Sequence, residues 1–239
     1  MSGFYEVTAA PRRQRVTMVV GMHRSGTSFL TGSLQQAGLE LGKFSPWNPH
    51  NLKGNRENID FVEFHDALLG ARGFAWNAPP PGPIAWTDEE CARARTLVAS
   101  YETLPHWGFK DPRATLLLDG WRNLLPHIEF VGIFRHPCDV HRSLDARGGM
   151  LADRALSLWA AYNRRLLALH RERPFPVLCF DEPEEMLLRK LDQVLRAHGL
   201  TPVAKDRFFS SELRHHSGAN EPVPPELSDL YSSLRAIAW

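Results

Sequence analysis

The fold is decided by residues 16–30, which read VTMVVGMHRSGTSFL. The first five residues of this stretch form a mostly apolar run that is rich in β-branched side chains and about as long as a buried strand. Gly21 and Gly26 bound the turn that follows, and a helical pattern continues through Leu30. The stretch therefore predicts a strand, a glycine-bounded loop and the start of a helix.

The predicted loop has the composition of a phosphate-binding site. Its glycines allow successive backbone N–H groups to converge on an anion, and the new helix directs its positive end to the same point. Arg24 adds a fixed charge, and Ser25, Thr27 and Ser28 add hydroxyl groups. The alternative is an ordinary strand–turn–helix corner whose glycines serve only the turn. The clustering of these side chains at the predicted helix N-terminus favours phosphate binding.

This loop departs from the loop of nucleotide triphosphatases, which follows the pattern G-x-x-x-x-G-K-[ST]. Thr27 occupies the position after the second glycine, so the lysine that reaches the terminal phosphates is missing. The basic residue well inside the turn is Arg24. We therefore expect a phosphorylated ligand held in a different way, and a nucleotide kinase or NTPase with an atypical loop remains an alternative.

Composition narrows the choice of partners and compartment. The net charge is +1 at pH 7, which argues against a nucleic-acid partner. The three cysteines, Cys91, Cys138 and Cys179, are widely spaced, which argues against a disulfide framework and structural zinc. No apolar run has membrane-spanning length and no signal-peptide core is evident. We expect a cytoplasmic protein with no membrane partner; its oligomeric state is left open.

Further apolar runs at residues 106–110, 128–134 and 177–180 alternate with helical patterns. Strands that alternate with helices predict an α/β fold with a mostly parallel sheet covered on both faces. In such folds, ligands bind at the carboxyl ends of the strands. We therefore expect the functional site where polar residues follow the strands.

One polar cluster follows the run 128–134. Arg135 closes that run, and Ser143 lies eight residues later in the predicted next helix. Both side chains are suited to one anion, the arginine through a bidentate charge-assisted contact and the serine through its hydroxyl. In the alternative interpretation, Arg135 pairs with Asp139 and Ser143 has no special partner. Spacing alone leaves the two interpretations open.

The two motifs together resemble those of the PAPS-dependent sulfotransferase family, in particular its carbohydrate-type and bacterial branch. They are GMHRSGTS at residues 21–28 and FRHPCDVHRSL at residues 134–144. PAPS is 3′-phosphoadenosine 5′-phosphosulfate. The resemblance implies a P-loop-kinase-like fold in a single domain over residues 1–239, with a core at about 16–210 and a C-terminal extension at 211–239.

The resemblance also implies an activity and a set of ligands. The activity is transfer of a sulfuryl group from PAPS to a hydroxyl of a small-molecule or carbohydrate acceptor. The products are the sulfated acceptor and adenosine 3′,5′-bisphosphate, and no metal is needed. A nucleotide-binding protein that has lost catalysis remains an alternative.

The resemblance assigns roles residue by residue. The 5′-phosphosulfate is expected to contact the first motif, through His23, Arg24, Ser25, Gly26, Thr27 and Ser28. Arg24 has a catalytic role as well, because it neutralises charge on the leaving phosphate. Arg135 and Ser143 are expected to hold the 3′-phosphate, and Phe29 to pack near the adenine.

The chain departs from the cytosolic branch of that family in three ways. That branch carries lysine where Arg24 stands and has a late Arg-Lys-Gly stretch that contacts the 3′-phosphate. This chain has no such stretch, and Arg214 is a candidate substitute. The general-base histidine of that branch has no match either, so the base must be sought elsewhere.

A base must lie within hydrogen-bonding reach of the acceptor hydroxyl. Four residues are candidates: His50, Glu57, His65 and Asp111. Asp111 is expected to cap the helix at Pro112, His65 lies in an apolar helical stretch, and His50 lies in a loop. Glu57 stands in a region where carbohydrate-type members place a catalytic glutamate, and it is our choice. The alternative is that Glu57 only complements a helix dipole.

Residues 77–86 are rich in proline and lie between Trp76 and Trp86. They are either a mobile lid over the acceptor pocket or a rigid surface connector, and the loop length fits both. The tryptophans are suited either to stacking on a ring of the acceptor or to closing the edge of a core.

Overall fold

The computed structural model describes residues 14–44, 54–203, 207–208 and 221–239. The strands are β1 (Arg15–Val20), β2 (His106–Lys110), β3 (Glu129–Phe134) and β4 (Val177–Cys179). The α-helices are α1 (Thr27–Gln36), α2 (Ile59–Gly70), α3 (Asp88–Ala99), α4 (Leu118–Leu124), α5 (Pro137–Gly148), α6 (Ala152–Glu172), α7 (Glu184–Ala197) and α8 (Ser228–Ile237). Short 3₁₀-helices span Pro112–Leu116 and Pro225–Leu227.

The four strands form one parallel sheet in the order β2-β1-β3-β4. Val19, near the end of β1, lies opposite Lys110 of β2 and Val131 of β3. Parallel pairing brings the carboxyl ends of the strands to one edge of the sheet, where ligands bind in folds of this kind. The prediction of an α/β fold with a parallel sheet is confirmed.

Each strand is buried on both faces. Met18 and Val20 belong to one apolar cluster, which also contains Phe61 of α2. Val19 belongs to a second cluster, with Leu30 of α1. Successive strand residues point to opposite faces, so the two clusters lie on opposite sides of the sheet. Helices therefore cover both faces, as the continuous apolar runs predicted.

The helix predicted after Asp111 is interrupted. The Asp111 carboxylate accepts a hydrogen bond from the backbone N–H of Arg113 at 3.1 Å, as an N-cap does, and opens a 3₁₀-helix. Leu117, with φ −122° and ψ 22°, separates that 3₁₀-helix from α4. The apolar pattern did not reveal the break, because leucines of both pieces pack into the same core.

Residues 77–86 are anchored at both ends. Ala75 and Ala78 exchange two backbone hydrogen bonds of 3.0 Å at the start of the segment. At its end, the ring of Trp86 packs edge-on against Trp121, with 5.2 Å between the centroids. These contacts favour the rigid connector over the mobile lid.

Residues 221–239, the described part of the predicted C-terminal extension, pack against the core. Leu234 of α8 is fully buried. The backbone N–H of Trp239 donates to the carbonyl of Val177, the first residue of the edge strand β4, at 3.0 Å. None of the helices in the described ranges is both long and apolar enough to cross a membrane. The single-domain organisation over residues 1–239 stays a prediction.

Candidate active site

The loop between β1 and α1 has a backbone that only particular residues tolerate. Gly21 and Gly26 have φ angles of 153° and 89°. A Cβ at Gly21 would lie 2.4 Å from the carbonyl oxygen of Ile133, and one at Gly26 would lie 2.5 Å from the ring of Phe180. Arg24 has a φ of 66°, a conformation that costs a non-glycine residue on the order of 1 kcal/mol. Such strain is typical of functional loops.

Helix α1 begins with an open positive end. Its N-cap is Gly26, which supplies no side-chain hydrogen bond, and its first turn contains no acidic residue. The N–H groups of the first turn are therefore suited to an external anion. Ser25 is fully buried, and its Oγ lacks a hydrogen-bonding partner within the described ranges.

Arg24 joins the two motifs that the sequence holds far apart. Its Nε donates a hydrogen bond of 2.7 Å to Oγ of Ser143, which lies 119 residues away on α5. Burial lowers the pKa of Arg24, and the charges of Arg147 and Arg135 lower it further. The guanidinium groups of Arg147 and Arg135 are thus close enough to repel that of Arg24, and such an arrangement is suited to an anion.

Arg135 follows β3 and faces two carboxylates. Its Nε lies 3.5 Å from Oδ1 of Asp181 and 3.9 Å from Oδ2 of Asp139, so the pairing with Asp139 exists but is long. Burial raises the pKa of Asp181 to about 6, although the charge of Arg135 opposes this shift. The guanidinium also lies 5.4 Å from the centroid of the Phe180 ring. Whether Arg135 holds a phosphate stays a prediction.

A cleft that is open to solvent lies at the carboxyl edge of the sheet. Its lining comes from the loop and the first turn of α1, from the segments before and after α2, from the end of β2 and from α5. The lining residues include Arg24, Thr27, Ser28, Glu57, Trp76, Lys110 and Arg147. This is the edge at which the sequence predicts a site.

Glu57 lines the cleft and is held by a buried lysine. Nζ of Lys110 donates to Oε1 of Glu57 at 2.8 Å and lies 3.5 Å from Oγ of Ser28. The side chain of Lys110 is 1% exposed. Glu57 precedes Asn58, the N-cap of α2, and so lies outside the first turn. Its carboxylate therefore pairs with Lys110. It does not occupy the first turn of α2, which is where a residue that complements the helix dipole would lie.

The other described candidates for the base are engaged elsewhere. Nδ1 of His65 lies 2.8 Å from Oδ2 of Asp111, and Nε1 of Trp121 donates to Nε2 of His65 at 2.9 Å. Nδ1 of His65 therefore carries the proton and donates a hydrogen bond to Asp111. Burial acts to raise the pKa of Asp111. The hydrogen bond from His65 and the charge of Arg113 outweigh that effect and hold the pKa well below its usual range. Neither candidate lines the cleft.

Two other predicted participants, His50 and Arg214, lie outside the described residues.

His23 forms an aromatic wall of the cleft together with Trp76. Their ring centroids lie 4.8 Å apart, and the ring of Tyr162 lies 6.0 Å from that of His23. Burial lowers the pKa of His23 to about 3, so the imidazole is neutral at physiological pH. Nε2 of His23 is buried and has no hydrogen-bonding partner in the part of the chain described.

Phe29 lies in the core rather than in the cleft. Its side chain is 2% exposed and packs against Phe180, with 5.7 Å between the centroids. Ser28, one residue earlier, donates from Oγ to the carbonyl of Asn55 at 3.2 Å. The proposed contact of Phe29 with adenine stays a prediction.

Sequence reasoning missed Arg147 as a member of the site. It lies in the last turn of α5, four residues after Ser143, and lines the cleft. The signal was present, because residues four apart share one face of a helix. No group of three or more His, Cys, Asp or Glu side chains within the described ranges is arranged to hold a metal ion.

The chain is similar to two solved structures. The sulfotransferase domain of the olefin synthase from Synechococcus PCC 7002 matches with a TM-score of 0.55 and 16% identity, over 96% of this chain and 97% of that chain. The sulfotransferase STF1 from Mycobacterium tuberculosis H37Rv matches with a TM-score of 0.46 and 15% identity, over 94% of this chain and 75% of that chain. In sequence comparisons, no family model and no curated protein matches. The first likeness shows a shared fold along nearly the whole chain.

Proposed function

We propose that this chain is a PAPS-dependent sulfotransferase that acts on a hydroxyl of a small-molecule or carbohydrate acceptor. The observation that carries the proposal is the hydrogen bond between Arg24 and Ser143. It brings the two motifs of the resemblance together beside the cleft that Arg24 lines, although 119 residues separate Arg24 from Ser143. The fold shared with a sulfotransferase domain supports the same conclusion.

The residues present fit a nucleotide that carries phosphate at two ends. The uncapped N-terminus of α1, the loop N–H groups and Arg24 suit the 5′ end. The buried Oγ of Ser25, unpartnered among the described side chains, adds a free hydroxyl there. Ser143 and Arg135 suit the 3′-phosphate, because a hydroxyl and a guanidinium both donate to phosphate oxygens.

Arg24 is placed to stabilise the leaving group. PAPS supplies the sulfuryl group when bound. Transfer of the sulfuryl group to the acceptor leaves negative charge on the 5′-phosphate. Arg24 and the loop N–H groups supply positive charge and hydrogen-bond donors for that phosphate. The bond to Ser143 fixes the guanidinium in advance, so little reorganisation is needed during the reaction.

Glu57 is the residue best placed to take the proton of the acceptor hydroxyl. Of the three candidates that the structure describes, it alone lines the cleft. Lys110 engages Oε1 and orients the carboxylate. Loss of the hydroxyl proton to Glu57 increases the nucleophilicity of the oxygen that attacks sulfur.

The wall formed by Trp76 and His23 suits a ring-containing acceptor, because sugars and aromatic rings both pack on such surfaces. We place the enzyme in the cytoplasm, since its three cysteines are all free, as expected in a reducing compartment.

The donor is tested by thermal unfolding with adenosine 3′,5′-bisphosphate, ATP or AMP. A ligand that binds only the folded state raises the melting temperature. The bisphosphate should raise it well above the values with ATP and AMP, which lack a 3′-phosphate. Equal stabilisation by ATP would instead favour a nucleotide kinase or NTPase.

Transfer is tested by incubating the protein with PAPS and a panel of sugars and phenols, and by measuring mass gain. A sulfated product is the expected result. Tight bisphosphate binding without sulfation across a broad panel would favour a non-catalytic nucleotide-binding protein.

A further inference from the structure

Arg147 extends the face of α5 that carries Ser143. The two residues are one helical turn apart, so their side chains lie on the same face. Ser143 accepts the hydrogen bond of Arg24, and Arg147 lines the cleft together with Arg24 and Thr27. The side chain of Arg147 is exposed at the rim, within reach of a ligand in the cleft.

The charges of the cleft single out Arg147. Lys110 pairs with Glu57 at 2.8 Å, and Arg113 pairs with two aspartates at 2.6 and 2.9 Å. Arg147 has no ion-pair partner among the described residues, and Arg24 donates to a neutral hydroxyl. Two guanidinium groups therefore border one space in which the one lining carboxylate among the described residues, Glu57, is already paired with Lys110.

We propose that Arg147 is a second anion-binding arginine, which clamps the 5′ end of the nucleotide from the side opposite Arg24. The inference rests on the proposed function. It adds a role for Arg147, which lies outside both sequence motifs. Arg147 shares the cleft with Thr27 and Ser28 of the first turn of α1, whereas Arg135 does not line it. This placement selects the 5′ end rather than the 3′-phosphate.

The electrostatics agree with this placement. After burial, the charge of Arg147 is the next largest influence that lowers the pKa of Arg24, ahead of the charge of Arg135. An anion between Arg24 and Arg147 would remove their repulsion. A purely structural role is the competing explanation, because a basic residue in the last turn of a helix stabilises the helix dipole.

The test compares two nucleotides by calorimetry. Adenosine 3′,5′-bisphosphate has both phosphates, and adenosine 3′-phosphate lacks the 5′ one. Arg147→Ala should weaken the bisphosphate about tenfold, as expected for a lost charge-assisted contact. It should weaken adenosine 3′-phosphate less than about twofold, because the missing contact lies at the other end. Arg147→Lys should restore part of the difference.

Arg164→Ala is the matched control, because Arg164 is exposed on α6 and does not line the cleft. It should leave both affinities unchanged. Unchanged bisphosphate affinity in Arg147→Ala, equal loss for both nucleotides, or an equal loss in the control would each overturn the inference. If Arg147→Ala does not fold, Arg147→Gln is used, with folding checked by thermal unfolding.

The wild type is measured first. If it fails to prefer the bisphosphate over ATP, the proposed function fails, and the inference fails with it. If the wild type shows the preference and Arg147→Ala binds both nucleotides normally, only the role of Arg147 is refuted.

Discussion

Arg24 Nε donates a hydrogen bond of 2.7 Å to Ser143 Oγ, and this contact ties the loop after β1 to helix α5. Each partner also serves the proposed nucleotide, so the two residues should act as a coupled pair. We expect Arg24→Ala to weaken adenosine 3′,5′-bisphosphate more than Ser143→Ala does, because it removes a charge.

The double variant tests the coupling. Its loss of binding free energy should differ from the sum of the single losses by about 0.5–3 kcal/mol, the range for residues in contact. Calorimetric titration of the four proteins with the bisphosphate measures the difference. Strictly additive losses would mean that the contact has no role in binding.

Glu57→Gln tests the proposed base. Glutamine keeps an oxygen for Lys110 but cannot accept the proton of the acceptor, so kcat should fall about 10²-fold or more. Bisphosphate affinity should stay near the wild-type value. The turnover of an acceptor identified in the panel, measured at saturating PAPS, checks this expectation.

Asp60→Asn is the control for that experiment, because Asp60 is an exposed carboxylate in the first turn of α2. It should leave kcat nearly unchanged. A Glu57→Gln enzyme with normal kcat would clear Glu57 and move attention to His50.

The fold was predictable from the sequence because its signals are local. The apolar run before Gly21 is long enough for one strand, and Asp111 and Pro137 mark the starts of helical elements. Continuous apolar runs predict strands buried on both faces, and that burial fixes a parallel sheet with helices on each side. The break at Leu117 between the 3₁₀-helix and α4 was not predictable in this way, because helix propensity does not reveal a single interrupting residue.

The site was predictable only where a motif or a strand end marked it. The pairing of Glu57 with Lys110 depends on how the segment before α2 packs across the end of β2, and no local pattern encodes that distance. Arg147 lies outside both motifs. It lines the cleft because of the way α5 is oriented about its own axis. Contacts between distant elements are set by tertiary packing, which spacing along the chain does not reveal.

Leu234→Ala tests whether the C-terminal residues belong to the folded unit. Leu234 is fully buried in the main apolar cluster. Truncation to alanine should lower the free energy of unfolding by about 2–5 kcal/mol, as for other buried leucines. Urea denaturation measures the loss, and the transition should stay single. Ser232→Ala, at an exposed position of the same helix, should change stability by less than about 0.5 kcal/mol. A small effect of Leu234→Ala would show that α8 is peripheral.

The last prediction concerns stability in acid and the end of the sheet away from the cleft. Glu129 accepts hydrogen bonds from Arg15 at 2.8 and 2.6 Å, and Nδ1 of His198 lies 3.2 Å from its Oε2. Burial acts to raise the pKa of Glu129, but the hydrogen bonds from His198 and Arg15 outweigh burial and lower the pKa to about 2.

The unfolded chain therefore binds this proton before the folded protein does. The stability that Glu129 contributes is complete above its ordinary pKa of 4.5 and is lost as the pH falls toward about 2. Glu129→Gln removes the titrating group, so wild type and variant should differ most near pH 7, and the difference should shrink below about pH 4.5. Urea denaturation at a series of pH values measures this convergence. Glu102→Gln, at an exposed position, is the control and should follow the wild type throughout. A difference between Glu129→Gln and wild type that stays constant with pH would mean that the Arg15–Glu129 contact stabilises the fold through packing and not through charge.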